Sequence, residues 1–147
     1  MIDPATGEQF DFANYPELNG GSGFETDLSG NELPNAPRWT ANIGAQYTVD
    51  FSTDWSATLR GDFYWQDKSW HRVYNYAPYD RLRGWTNTNL SLWIDGPGDL
   101  RIEAYVKNLF NKTPITDAFL NSDDSGLTTN VFVLDPRIIG FSIMKAF

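Results

Sequence analysis

The sequence predicts an all-β protein: an antiparallel β-meander of about five long strands that forms an incomplete transmembrane β-barrel. Three observations carry this reading. Residues 39–51 alternate apolar and polar without exception, the period of a strand with one dry and one wet face. Runs such as 39–51 and 55–66 match the roughly 9–11 residues a tilted strand needs to cross a bilayer, and exceed the roughly 5–6 of an ordinary strand. The connections alternate short (52–54), long (67–83), short (95–99), long (111–130), as in bacterial barrels with tight periplasmic turns and long extracellular loops.

Taken in order, residues 1–38 hold Pro4, Pro16, Pro34, Pro37 and the run Asn19-Gly20-Gly21-Ser22-Gly23 with no sustained period, so they read as a long, acidic, irregular segment. The first strand, 39–51, sets Trp39, Ala41, Ile43, Ala45, Tyr47, Val49 and Phe51 against Thr40, Asn42, Gly44, Gln46, Thr48 and Asp50. After Ser52-Thr53-Asp54 the second, 55–66, sets Leu59, Phe63 and Trp65 against Arg60, Asp62 and Gln66. Residues 67–83 lose the period and read as a loop rich in aromatics and arginine. The third strand, 84–94, opposes Leu90, Leu92 and Ile94 to Asn87, Asn89 and Ser91. The turn Asp95-Gly96-Pro97-Gly98-Asp99 leads to the fourth, 100–109, with Ile102, Ala104 and Val106 against Arg101, Glu103 and Lys107. Residues 111–130 break the alternation, and the fifth strand, 131–147, puts Ile139, Phe141, Ile143 and Phe147 on one face.

Alternation alone also fits a soluble β-sandwich, or a small soluble or membrane barrel that binds a ligand without transport. Strand length, aromatic strand ends and charge segregation favour the membrane wall and leave the small barrel as the alternative. Asp50, Arg60, Asp62, Arg101, Glu103 and Lys107 all fall on the wet face, and a cation on the lipid face would cost about 2–4 kcal/mol at the midplane. Lys145 is the exception, near enough to the end to snorkel to the interface. Aromatic residues make up 16% of the chain, and Trp39, Phe51, Trp55, Trp65 and Phe147 mark strand ends. The mean hydropathy of -0.44 does not oppose a membrane barrel, whose strands average near neutral.

Composition excludes several functions. With 19 acidic and 11 basic residues the net charge is -8, so nucleic acid is not an expected partner. The chain has no cysteine, which removes disulfides, thiolate metal sites and cysteine nucleophiles. The first residues, MIDPATGEQFDF, carry neither a basic nor an apolar leader run, so an export signal is expected upstream of Met1.

Four words then carry a family resemblance. GNELPNAPRWTANIGAQYT (30–48) resembles the lead into a late strand of TonB-dependent receptors, and LRGDFYWQDKSW (59–70) the strand that follows. RIEAYVKNLFNKTP (101–114), with Lys107-Asn108-Leu109-Phe110, resembles the penultimate strand, and DPRIIGFSIMKAF (135–147) the final one. The resemblance implies that 39–147 are the C-terminal strands of such a barrel and that 1–38 are an extracellular loop. It further implies roughly 22 strands around a plug, a bacterial outer-membrane location, and energy-coupled uptake of a siderophore, carbohydrate or similar nutrient. The implied partners are membrane lipid, the barrel assembly machinery, the missing N-terminal barrel and plug, and TonB through that plug. Gly140, Ile143 and Phe147 look like the signal the assembly machinery reads. Alone, the fragment is not expected to transport.

No catalytic residue, metal or cofactor is expected. His71 is the single histidine, and no nucleophile motif accompanies it. Trp70, His71, Tyr74, Tyr76, Arg81 and Arg83 are the candidate ligand contacts, because rings and guanidinium groups on an outer loop suit sugars and anionic ligands; the alternative is an aromatic loop packed on its neighbours. Arg60, Asp62, Arg101 and Glu103 are expected to form carboxylate–guanidinium pairs. Asp123 and Asp124 beside Gly126 miss the spacing of a calcium loop, and Asn111-Lys112-Thr113 is an incidental match to a glycosylation acceptor.

Overall fold

The computed structural model describes residues 26–76, 78, 80–121 and 128–146. Among them there is no helix, and strands run in the order β1 (Thr40–Ser52), β2 (Trp55–Gln66), β3 (Ser69–Trp70), β4 (Arg81–Leu82), β5 (Trp85–Gly96), β6 (Leu100–Lys107), β7 (Ile115–Leu120), β8 (Thr129–Val133) and β9 (Ile138–Met144). One antiparallel sheet of order β1-β2-β5-β6-β9 forms the body, and β3-β4 and β7-β8 are two small hairpins. The sheet does not close, so β1 and β9 are its edges.

Register carries the alternation across the whole sheet. Ile43 pairs with Phe63 and Tyr47 with Leu59, Leu59 with Leu92 and Ala57 with Ile94. Leu90 pairs with Val106 and Ile94 with Ile102, then Ile102 with Ile143 and Ala104 with Phe141. Directly paired residues share a face, so Ala41, Ile43, Leu59, Phe63, Leu92, Ile102, Val106 and Ile143 lie together, as expected. Thr40, Gln46, Arg60, Asp62, Arg101 and Glu103 lie on the other face. No described residue covers the apolar one: Phe141 is 76% exposed, Tyr47 74% and Ile139 72%. A soluble sandwich would place this face in its core. Here the only buried apolar residues among those described are Leu82 and Ala118, both in the small hairpins.

The two ends of the sheet differ. At one, Ser52 pairs with Trp55 across a two-residue turn, with a bulge beside Asp50, and Gly96 pairs with Leu100. The second turn needs the left-handed conformations of Gly98 and Asp99, at φ 66° and 54°, which these residue types tolerate best. The other end carries the described residues of 26–39, 67–84 and 108–137.

Two sequence expectations change. The fifth strand, expected over 131–147, is two elements: β8 pairs with β7 in a hairpin, and only β9 joins the sheet. Pro136 separates them, since proline supplies no N–H and holds the preceding residue away from a continuing ladder. Residues 111–130, read as loop, contain β7, whose alternation is masked by a register shift between Ile115 and Asp117.

Glycines in the ladder make room for large partners. Tyr105 lies across its pair Gly140, where a Cβ would come within 2.5 Å of the ring, and Trp55 lies across Gly96. Gly140→Val must therefore displace Tyr105. Overpacking of this kind costs about 1–3 kcal/mol, and equilibrium unfolding of the receptor carrying the substitution is expected to show that loss. An unchanged transition would mean that the ring moves freely.

Candidate functional site

The loop-bearing end is built from two interlocked segments. Pro34 bridges to Trp70 in parallel, and Asn35 N donates to Trp70 O at 2.7 Å. Glu32 and Asn75 bond reciprocally: Glu32 N reaches Asn75 Oδ1 at 2.6 Å, and Asn75 Nδ2 reaches Glu32 O at 3.1 Å and Arg72 O at 3.0 Å. Asn75 adopts φ 55°, a conformation asparagine enters more readily than most residues. Asn31 Nδ2 adds a bond to Val73 O at 2.8 Å. The Glu32 carboxylate accepts from Arg38 Nε at 2.8 Å and Trp70 Nε1 at 3.0 Å. The Arg38 hydrogen bond chiefly, with help from Trp70 and the nearby Arg81 charge, holds this carboxyl below the usual range.

Asp80 is the hub of the loop. It is fully buried, and its Oδ1 accepts from Arg72 Nε at 2.7 Å and from Arg72 Nη2. Its Oδ2 accepts from Tyr76 N at 3.0 Å, and His71 Nε2 lies 3.7 Å from Oδ1. Backbone bonds from Asp80 N to Tyr76 O and from His71 N to Asp80 O close the turn.

The candidate contacts separate into three groups around this hub. Trp70 and His71 face inward: Trp70 holds Glu32 and lies under Arg81, whose guanidinium is 5.3 Å from the ring centroid. The His71 side chain is only 4% exposed. Tyr74 and Tyr76 stack on each other, 5.9 Å apart and within 9° of parallel, and both are exposed. Arg81 and Arg83 line two adjoining clefts of about 450 and 540 Å³. The supports Glu32, Asn75 and Asp80 went unrecognised in the sequence; the asparagine and aspartate of a turn-rich loop are the only local hint of them.

The second long segment is tied by Asn108, which is buried and left-handed at φ 49°. Its backbone N–H donates to Asn89 Oδ1 at 3.0 Å, its Nδ2 to Lys112 O at 2.7 Å and Asp135 O at 2.9 Å, and its Oδ1 accepts from Lys112 N at 3.0 Å. The word Lys107-Asn108-Leu109-Phe110 is thus a knot that ends β6 and fixes the path to β9. Asn35 Nδ2 joins the two loop systems through Asp117 at 2.9 Å.

On the polar face Arg60 forms the expected pair with Asp62, with bonds of 2.9 and 2.7 Å; the pair occupies space that a side chain at position 44 would fill. Arg101 pairs instead with its cross-strand neighbour Asp95, at 2.6 and 3.1 Å, and not with Glu103. Among the described residues no cluster of histidine and carboxylates could hold a metal, and Asp123 and Asp124 lie outside those residues. Of the assembly signal, Gly140 and Ile143 sit in β9 on opposite faces, and Phe147 lies outside the described residues.

Long antiparallel strands, one uncovered apolar face, a charged opposite face and loops gathered at one end define a class: a wall segment of a membrane β-barrel. Residues 5–109 match the family described as TonB dependent receptor-like, beta-barrel, and the chain belongs to that family of membrane transport receptors. No curated protein and no solved structure matches the chain. The matched span begins before the first resembling word and ends inside Lys107-Asn108-Leu109-Phe110, so the final-strand word at 135–147 stands on its own residues.

Proposed function

We propose that the chain is the C-terminal part of the barrel wall of a TonB-dependent receptor in a bacterial outer membrane. Its apolar face meets lipid, and its polar face lines a lumen occupied by the plug. The segments 26–39, 67–84 and 108–137 then lie outside the cell. There the exposed Tyr74–Tyr76 stack and the arginines Arg81 and Arg83 contact an incoming siderophore, carbohydrate or similar nutrient, while Trp70 and His71 hold the loop that presents them. TonB acts through the plug, and the assembly machinery reads Gly140, Ile143 and Phe147. The role is binding and passage rather than catalysis, and it needs the rest of the barrel.

The observation that carries this reading is the apolar face that continues over all five strands with no described residue packed over it. Because this chain contains no cysteine, single thiols introduced into it test the assignment. In the receptor carrying it, with any other cysteine replaced, Ile43→Cys, Leu92→Cys and Phe141→Cys are expected to resist water-soluble maleimides and to accept lipid-soluble ones. Gln46→Cys and Ser91→Cys are expected to react with water-soluble reagent once the plug is deleted. Free aqueous labelling of the first three would place that face in water and end the barrel reading.

A further inference from the structure

A cleft lies at the loop-bearing rim of the sheet. It measures about 560 Å³ and is lined by Trp65, Thr86 and Lys112 among others. Trp65 and Thr86 are a cross-strand pair of the apolar face. The Lys112 ammonium donates to Thr86 Oγ1 at 2.6 Å and lies 5.9 Å from the Phe110 ring centroid. No carboxylate pairs with it among the described residues. Its backbone is not free to wander, because the buried Asn108 amide grips both its N–H and its carbonyl. An adjoining cleft of about 540 Å³ shares Gly84 and Pro114 with this one and adds Arg83, which is exposed and in no ion pair among the described residues.

A chain of net charge -8 therefore fixes a cation with no counter-ion among the described residues at the edge of its apolar face, beside an indole. Tryptophan at the end of a membrane strand sits at headgroup level, and lysine there extends its ammonium to the same level. Basic pockets at that depth attract anionic headgroups.

We propose that this rim cleft binds the phosphate of a lipid headgroup, with Lys112 and Arg83 as its cationic contacts and Trp65 against the adjoining acyl region. The site rests on the barrel reading above; it shares Arg83 with the nutrient contacts proposed there and is otherwise separate from the Tyr74–Tyr76 stack. For the test, the receptor carrying this chain is stripped of lipid in a neutral detergent. It is then titrated with short-chain phosphatidic acid, short-chain phosphatidylcholine and inorganic phosphate, with bound molecules counted by native mass spectrometry. Phosphatidic acid is expected to bind about fivefold more weakly to Lys112→Gln and to Arg83→Gln, and to bind Lys112→Arg like the parent. Phosphatidylcholine should not distinguish the four proteins. Arg83 is exposed and in no ion pair among the described residues, so its substitution is expected to spare the fold. Equal phosphatidic acid affinity in the parent and both glutamine variants would overturn the site. Inorganic phosphate binding as tightly as the lipid would also overturn it, in favour of a free-anion site. Should the thiols on the apolar face prove to be in water, the barrel reading itself fails; intact lipid-side labelling with no loss in the glutamine variants condemns the cleft alone.

Discussion

Refolded by itself into detergent micelles or lipid vesicles, the 147-residue chain is expected to give no compact heat-modifiable monomer on a gel and no reproducible single-channel conductance. The reason lies at the two edges of the sheet. β1 spans 13 residues and β9 spans 7, and each pairs on one side only. About half of the backbone N–H and C=O groups of an edge strand point away from its neighbour. In hydrocarbon each unsatisfied group costs several kcal/mol, so the two edges together cost on the order of tens of kcal/mol. A folded domain is stable by only about 5–15 kcal/mol. The smallest barrels of this kind use about 8 strands, and five cannot bring β1 round to β9. The expected products are aggregates or sheets joined edge to edge. A discrete monomer that shifts on heating and conducts would show a closed pore, and the wall-segment reading would fall.

The same physics explains why the body of the sheet was legible in sequence. Lipid on one side and water on the other force period-2 alternation on every strand, and β1, β2, β5 and β6 obey it within a few residues of the expected bounds. Short charged or glycine-rich links then marked the turns. The β7–β8 hairpin was not legible, because Ile115-Thr116-Asp117 carries a register shift and its strands are shorter than a membrane crossing. Pro136 stood in plain view inside the expected fifth strand; the apolar residues on either side of it outweighed its meaning.

The site was legible by residue type and not by role. Aromatic and arginine content singled out 67–83, yet the residues that give the loop its shape are Asp80, Asn75 and Glu32, and Glu32 lies 43 positions from Asn75 in the chain. Long-range reciprocity of that kind leaves no periodic trace. Asn108 shows the same limit from the other direction. Its word was recognised, but four of its hydrogen bonds reach Asn89, Lys112 and Asp135, and only a fold that brings these together explains an asparagine there.

Asp80→Ala is expected to open the loop between Arg72 and Arg81 while leaving the five-stranded sheet intact. The carboxylate is fully buried and serves Arg72 through Oδ1 and Tyr76 N through Oδ2, with His71 beside it. Alanine leaves the Tyr76 N–H without its acceptor and the Arg72 guanidinium without its counter-charge. Removing one member of a buried pair costs about 3–5 kcal/mol, chiefly for the charge left behind. Arg72 keeps 29% of its side chain exposed, so solvent relieves part of that penalty and the loss falls toward the lower end. No ladder of the main sheet depends on these atoms, since β3 and β4 contribute only the pairs Ser69–Leu82 and Trp70–Arg81. Limited trypsin digestion of the receptor in its membrane reads the difference. In the parent the Arg72 guanidinium is engaged by Asp80 and cleavage after it is slow. In Asp80→Ala cleavage there accelerates by about a hundredfold for a loss near 3 kcal/mol, if opening is fast relative to cutting. Asp80→Asn keeps an oxygen acceptor but loses the charge, and falls between the two. Heat-modifiability of the barrel stays at the parental level in both. Parental resistance after Arg72 in the alanine variant would mean that the reciprocal Glu32–Asn75 bonds and the Trp70 bridge hold this loop without its buried carboxylate.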